Sequence, residues 1–219
     1  MSEQVRVLLV SGSTRAGSGN TAALATMAAS APDGVTAVMY DGLARLPAFN
    51  PDDDGDRVPR EVAGLREEIT AADAVLFCTP EYAGTLPGSF KNLLDWTVGG
   101  GQLYNKPAAW INVAVPGRGQ SAEDTLAAVL GYVGADVVEA ACRRIPVDRA
   151  AVSEDGTISD PGFRAEAAQV WDALLGYLGE RGMLIPEGLL AVIPGMVPVG
   201  TSGRRNGEHR HGGSFPGSA

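Results

Sequence analysis

Histidine is nearly absent from this chain: of 219 residues only His209 and His211 are histidine, both within the last eleven positions. A core without imidazole disfavours the Ser-His-Asp and Cys-His constellations, which need that ring beside the nucleophile. No G-x-S-x-G occurs either, which speaks against a hydrolase of the nucleophile-elbow kind. Cysteine is equally scarce. Cys78 and Cys142 make neither a metal-ligand spacing nor a disulfide framework, and a reduced, cytoplasmic setting is expected. No apolar run reaches 18 residues, so no membrane span is expected. Met1 to Val10 carries no basic lead and no cleavage site, so secretion is not expected. The formal net charge of −9 speaks against a nucleic-acid footprint. The two lysines against fifteen arginines reflect compositional bias.

What is present is an ordinary globular composition, 45% apolar and 20% charged, long enough to bury a sizeable core. Val5 to Val10 is a continuous apolar, β-branched run, the pattern of a strand buried on both faces. Further strands are expected at Val35–Tyr40, Ala74–Thr79, Pro107–Ala114 and Asp136–Arg143. Helices are expected at Ala22–Ser30, Pro59–Ala72, Pro87–Trp96, Ala122–Val133 (with Gly134 as C-cap) and Phe163–Arg181. Strict alternation of strand and helix predicts an α/β chain, a parallel sheet with helices on both faces. Five strands suit a three-layer flavodoxin-like fold with strand order 2-1-3-4-5. This domain is expected over 1–182. An apolar, proline-punctuated extension follows at 183–199, then a Gly/Ser/Arg/His-rich tail at 200–219 that is expected to be disordered. His209 and His211 in that tail are read as solvated rather than metal-binding.

The loop from Ser11 to Thr21 holds the strongest chemical signal. It joins the first strand to the first helix, where open parallel sheets bind ligands. Loop amides and a helix N-terminus offer donors and positive potential to an anion. Ser11, Ser13, Ser18, Asn20 and Thr21 add neutral donors, and Arg15 adds a planar cation. The loop is longer than the roughly 2–6 residues a plain connection uses. Gly12 and Gly17 match the P-loop spacing, but Ser18 stands where that motif has lysine. Gly12, Gly17 and Gly19 do not match the dinucleotide fingerprint, although Asp41 stands where a ribose-binding acid would. Hydroxyls without lysine suit a terminal monophosphate such as that of FMN.

The third loop, from Thr79 to Gly88, is expected on the same sheet edge, with Pro80 and Tyr82 offering flat apolar surface to a ring. The loop after the fourth strand, Val115 to Gln120, reaches that edge too, and its amides and Arg118 suit negative charge on a reduced ring. Glu81 is read as an ion-pair partner, of Lys91 or of an arginine across an interface. Asp52, Asp53 and Asp54 read as a solvated run, Cys78 and Cys142 as small core residues, and Trp96, Trp110 and Trp171 as core or interface.

The stretch Ser11-Gly-Ser-Thr-Arg-x-Gly-Ser-x-Asn20 is followed by Pro80-Glu81-Tyr82-x-Gly-x-x-Pro87-Gly88-x-x-Lys91-Asn92-x-x-Asp95-Trp96. Together they resemble the NAD(P)H-dependent FMN reductase family of flavin, quinone, azo-dye and chromate reductases. The resemblance runs from about Val5 to Gly179. It implies a flavodoxin-like fold, bound FMN, NAD(P)H as co-substrate, a small-molecule electron acceptor, and a homodimer or homotetramer. It places Ser11, Ser13, Arg15, Ser18 and Asn20 on the phosphate. Pro80, Glu81, Tyr82 and Gly84 fall against the isoalloxazine, and the Lys91–Trp96 helix near a subunit interface. Thr14, Thr21, Ala83, Pro116, Gly117, Arg118 and Gly119 complete the expected cofactor contacts. No side chain is expected to act as acid or base, since FMN carries the chemistry. Ala83 stands where the family commonly has asparagine or histidine, and Gln120 where it has a second glycine. The alternative reading is a flavodoxin-like electron carrier or binding module that does not oxidise NAD(P)H.

Overall fold

The first strand, β1 (Val5–Ser11), sends alternate side chains into two separate cores. Val7 and Leu9 join one apolar cluster, and Leu8 and Val10 the other. That is the signature of a central strand covered on both faces. The computed structural model describes residues 4–182 apart from Asp56, so the expected extension at 183–199, the tail at 200–219 and both histidines lie outside the described residues.

In chain order β1 is followed by α1 (Gly19–Ala29), β2 (Val35–Tyr40), α2 (Arg60–Ala71), β3 (Ala74–Cys78), α3 (Gly88–Trp96), β4 (Pro107–Asn112), α4 (Gln120–Tyr132), β5 (Asp136–Val137), β6 (Arg143–Arg144) and α5 (Pro161–Glu180). All sheet pairings among them are parallel, and the order is β2-β1-β3-β4-β5, with β6 also on β4. The three-layer flavodoxin-like arrangement is as the alternation predicts. Buried residues of α1 and α5 pack on one face, those of α2, α3 and α4 on the other. Trp171 of α5 is buried and donates its indole N–H to the Met27 carbonyl of α1 at 3.2 Å, locking the two helices of one layer together. Gly134 follows α4 at φ +71°, a left-handed position that ends the helix as expected.

The fifth strand departs from expectation. Asp136–Arg143 is not continuous: Glu139–Ala141 forms a 3-10 turn between β5 and β6. The register explains it. Val137 faces Ala108 and Arg143 faces Ile111, so six steps along this edge match only three along β4. The three surplus residues coil into the turn, which places Ala141 in the core. Such an interruption also blunts an exposed sheet edge. β3 and β4 are shorter than expected, ending at Cys78 and Asn112. Their last expected residues belong to the loops that form the site.

Asp54 is the other correction. Its carboxylate is not solvated but pairs with Arg66 at 2.5 Å, with the two side chains 11% and 14% exposed. Arg66 also donates to the Trp96 carbonyl at the end of α3. Asn92 and Trp96 both donate to the Pro47 carbonyl at 2.9 Å, and Phe49 N–H donates to Asn92 Oδ1 at 2.7 Å. The motif residues of α3 thus clamp the loop after β2 within the chain.

Candidate active site

The carboxyl ends of β1, β3 and β4 open into one cleft of about 640 Å³, within the roughly 300–1,000 Å³ of small-molecule sites. The first loop contributes Ser13, Arg15, Ser18, Gly19 and Asn20, the third Thr79 to Tyr82, and the fourth Val115, Arg118 and Gly119. A second concavity of about 440 Å³ lies at the end of β2. Asp41 lines it beside Arg45, with which it forms an ion pair at 2.9 Å. Asp41 is therefore outside the cleft where the first loop lies.

The first loop gathers hydroxyls, backbone amides and a helix N-terminus, donors that suit an anion. Ser18 is the N-cap of α1 and accepts the Asn20 N–H at 3.2 Å, so the helix begins at the cleft. Ser11 and Thr21 hydroxyls meet beneath it at 2.8 Å, and Ser11 Oγ accepts the Ser13 N–H at 3.3 Å. These two residues fasten the loop rather than line the cleft. Gly12 needs its hydrogen: a Cβ there would lie 2.2 Å from Thr79 Oγ1, so only glycine lets this loop lie against the third. Arg15 is exposed and enters no ion pair among the described residues. Cys78 is fully buried under the loop and donates its thiol to Asn20 Oδ1 at 3.3 Å. Burial pushes that thiol far up, so it stays protonated.

The third loop turns back on itself at Tyr82–Thr85, with Tyr82 N–H to Thr85 carbonyl at 2.9 Å and the reverse bond at 3.1 Å. Ala83 (φ +50°) and Gly84 (φ +74°) occupy its centre, the pattern of a type I′ turn. The turn carries Tyr82, half exposed, on the cleft wall, while Ala83 and Gly84 fall outside the lining. Glu81 does not meet Lys91, which pairs with Asp95 of its own helix at 2.6 Å. Its carboxylate instead accepts N–H groups from Ser121 and Ala122 at 3.1 and 3.4 Å. α4 starts from Gly119 with no side-chain cap of its own, so a carboxylate from another loop satisfies its free donors.

In the fourth loop, Arg118 N–H bonds to the Val115 carbonyl at 3.1 Å around Pro116-Gly117, with Gly117 at φ +80°. Proline then glycine at the centre is the type II preference. Pro116 and Gly117 shape the loop and do not line the cleft. Thr14 likewise lies outside the lining. Gly19, Thr79, Val113, Ala114, Val115, Val147 and Asp148 also line it, though none was among the expected cofactor contacts. Val147 and Asp148 arrive because the chain after β6 continues beside β4, with Val147 N–H on the Val113 carbonyl at 3.1 Å. No local pattern marks that.

The donor set fits flavin mononucleotide. Hydroxyls, an amide, an arginine and a helix N-terminus converge at one end, without lysine. A Cβ at Gly17 or Gly19 would meet nothing within 4 Å, so that end is open. Pro80, Tyr82 and the apolar Val113–Val115 stretch supply surface for a flat ring. Among the described residues no cluster of histidine, cysteine and carboxylates suits a metal ion, and no helix is long and apolar enough to cross a membrane.

The sequence profile of the NADPH-dependent FMN reductase family matches residues 5–146. An NAD(P)H-dependent FMN reductase of Pseudomonas aeruginosa is 42% identical over 96 residues, which is 44% of this chain and 51% of that protein. A quinone reductase of Escherichia coli K12 is 35% identical over 97 residues, 44% of this chain and 52% of that protein. The match spans about half the length of each of these two relatives. The solved structure of FerB from Paracoccus denitrificans, a flavoenzyme NAD(P)H:(acceptor) oxidoreductase, superposes with a TM-score of 0.67 at 27% identity, covering 78% of this chain and 98% of that one. With the profile matching residues 5–146, well over half of the chain, this chain belongs to the NADPH-dependent FMN reductase family.

Proposed function

We propose that the protein is an FMN-dependent NAD(P)H oxidoreductase. It passes reducing equivalents to a small acceptor such as a quinone, a flavin, an azo compound or a metal oxyanion. The observation that carries this reading is one cleft with a lysine-free anion cradle at one end and a flat apolar wall at the other. The names of the relatives point the same way. FMN, when bound, would supply the redox chemistry, taking hydride from NAD(P)H and passing the two electrons on to the acceptor. Ser13, Ser18, Asn20 and Arg15 hold its phosphate, with Ser11, Thr14 and Thr21 shaping the loop. Pro80, Glu81 and Tyr82 orient its ring, with Ala83 and Gly84 shaping the turn that carries them, and Val115, Arg118 and Gly119 close the opposite wall, with Pro116 and Gly117 shaping that loop. Arg118 enters no ion pair among the described residues and suits negative charge on the reduced ring or on a nicotinamide phosphate.

The protein works as a homodimer or homotetramer in the cytoplasm. Exposed Val98, Tyr104 and Tyr132 support the assembly, and two free cysteines fit the compartment. Residues 1–182 form the flavin-binding domain, 183–199 an apolar extension and 200–219 a tail. Light scattering on the full chain and on a truncation after Gly182 tests both assignments.

The function is tested by the visible spectrum of protein reconstituted with FMN and desalted, then titrated anaerobically with NADPH and NADH. Retained flavin that bleaches in one two-electron step and recovers with quinone supports the reading. Retained flavin that neither nicotinamide bleaches points to an electron carrier or binding module. No retained flavin overturns it.

A further inference from the structure

The Ala114–Gly119 loop forms one wall of the cleft, yet no strand pairing sets its shape. It is held from behind by side chains. Asn112 is 5% exposed; its Oδ1 accepts the Ala114 N–H at 3.0 Å and its Nδ2 donates to the Gly119 carbonyl at 3.0 Å. One amide thus closes both ends of the loop. The same Nδ2 donates to Glu123 Oε2 at 2.7 Å. Both amide hydrogens are then in use, and a flipped amide would lose all three bonds.

Glu123 is the hub. It also accepts Trp110 Nε1 at 3.2 Å and an Arg144 guanidinium N–H at 2.8 Å. Arg144 reaches on to the Arg118 carbonyl at 2.9 Å and Gln120 Oε1 at 3.0 Å. Burial pushes the Glu123 carboxyl up, but hydrogen bonds from Asn112, Trp110 and Arg144 outweigh it and hold the group below its ordinary range. An ionised carboxylate is acceptor-only, so it alone suits three converging donors. Gly119 leaves no slack: at φ +80°, a Cβ there would stand 2.8 Å from Asn112 Oδ1 and 2.6 Å from Ala114 Cβ.

We propose that Glu123 and Arg144 are positioning residues of the flavin pocket. Acting through Asn112 and the Arg118 carbonyl, they fix the wall against which the ring system rests, without touching the cofactor themselves. The inference rests on the FMN-reductase reading. It also assigns the interrupted edge strand a purpose, since the 3-10 turn shifts the register so that Arg144 lies beside Asn112.

Two variants test it. Glu123→Gln keeps the size but replaces one acceptor oxygen with an NH2 among donors. Arg144→Lys keeps the charge, but one ammonium cannot reach Glu123, Gln120 and the Arg118 carbonyl together. Dissociation constants of FMN and riboflavin for each apoprotein are read by flavin fluorescence, with the bound flavin's visible spectrum and the apoprotein's circular dichroism alongside. In both variants FMN and riboflavin are expected to weaken by the same factor, about tenfold. The flavin band shifts and the dichroism is unchanged. Equal weakening arises because riboflavin lacks only the phosphate, and the phosphate cradle is untouched. Affinities within twofold of wild type in both variants overturn the proposal. So does a selective loss of FMN over riboflavin, or weakening that appears only with lost dichroism. Wild-type protein that binds neither flavin overturns the functional reading, and this inference with it.

Discussion

Ala83 holds a backbone conformation that alanine seldom adopts. At φ +50° its Cβ crowds the following carbonyl, at a cost of about 1 kcal/mol or more. Asparagine tolerates this region and is preferred before glycine in a type I′ turn. Ala83→Asn is therefore expected to stabilise the protein by about 0.5–1 kcal/mol, read as a higher urea midpoint at unchanged slope. Gly12 makes the opposite demand. Gly12→Ala drives a methyl into Thr79 and is expected to destabilise by about 1–3 kcal/mol and to weaken FMN binding. Pairing it with Thr79→Gly should recover part of both losses. The glycine-hydroxyl character of the first loop was legible from residue types alone. The burial of Asp54 was not, because three consecutive acids look alike until Arg66 arrives from α2 to select one.

At the scale of elements, helices and strands follow from local chemistry, and their ends follow from partners. Pro87 marks the start of α3 as expected, whereas α1 begins at Gly19, three residues before the expected Ala22, because Ser18 caps it. The start of α4 has no such local mark, because its capping carboxylate comes from Glu81, some forty residues earlier. Glu81→Gln keeps the shape but removes the charge facing the α4 amides. It is expected to cost about 0.5–1.5 kcal/mol in thermal unfolding. Arg66→Ala strands the Asp54 carboxylate beside the Trp96 carbonyl and should cost about 3 kcal/mol, measured by denaturant unfolding, with Arg66→Lys recovering part.

At the scale of the whole molecule, the two cores sandwich the sheet, and three loops from separate strands meet only because β1, β3 and β4 are neighbours. Two predictions belong here. Arg15→Ala should weaken FMN at least tenfold, as loss of a charged hydrogen bond to phosphate does, while leaving riboflavin affinity unchanged in the same titration. Glu123 also couples stability to acid. Its carboxyl is held below its ordinary value of 4.5 in the folded chain. Its contribution is thus complete above pH 4.5 and is lost as pH falls through the lower folded value. Acid titration followed by circular dichroism should therefore show a shallower stability loss in Glu123→Gln than in the wild type.

The amino-acid sequence by itself determined the alternation of strands and helices, the parallel sheet and the glycine- and hydroxyl-rich character of the first loop. Each rests on local periodicity, or on residue types within one short segment. Only the tertiary structure decided where the edge strand breaks, which acid is buried, where Glu81 points and how the fourth loop is held. Each of these depends on a partner many residues away, whose distance is set by sheet register and helix packing rather than by local preference.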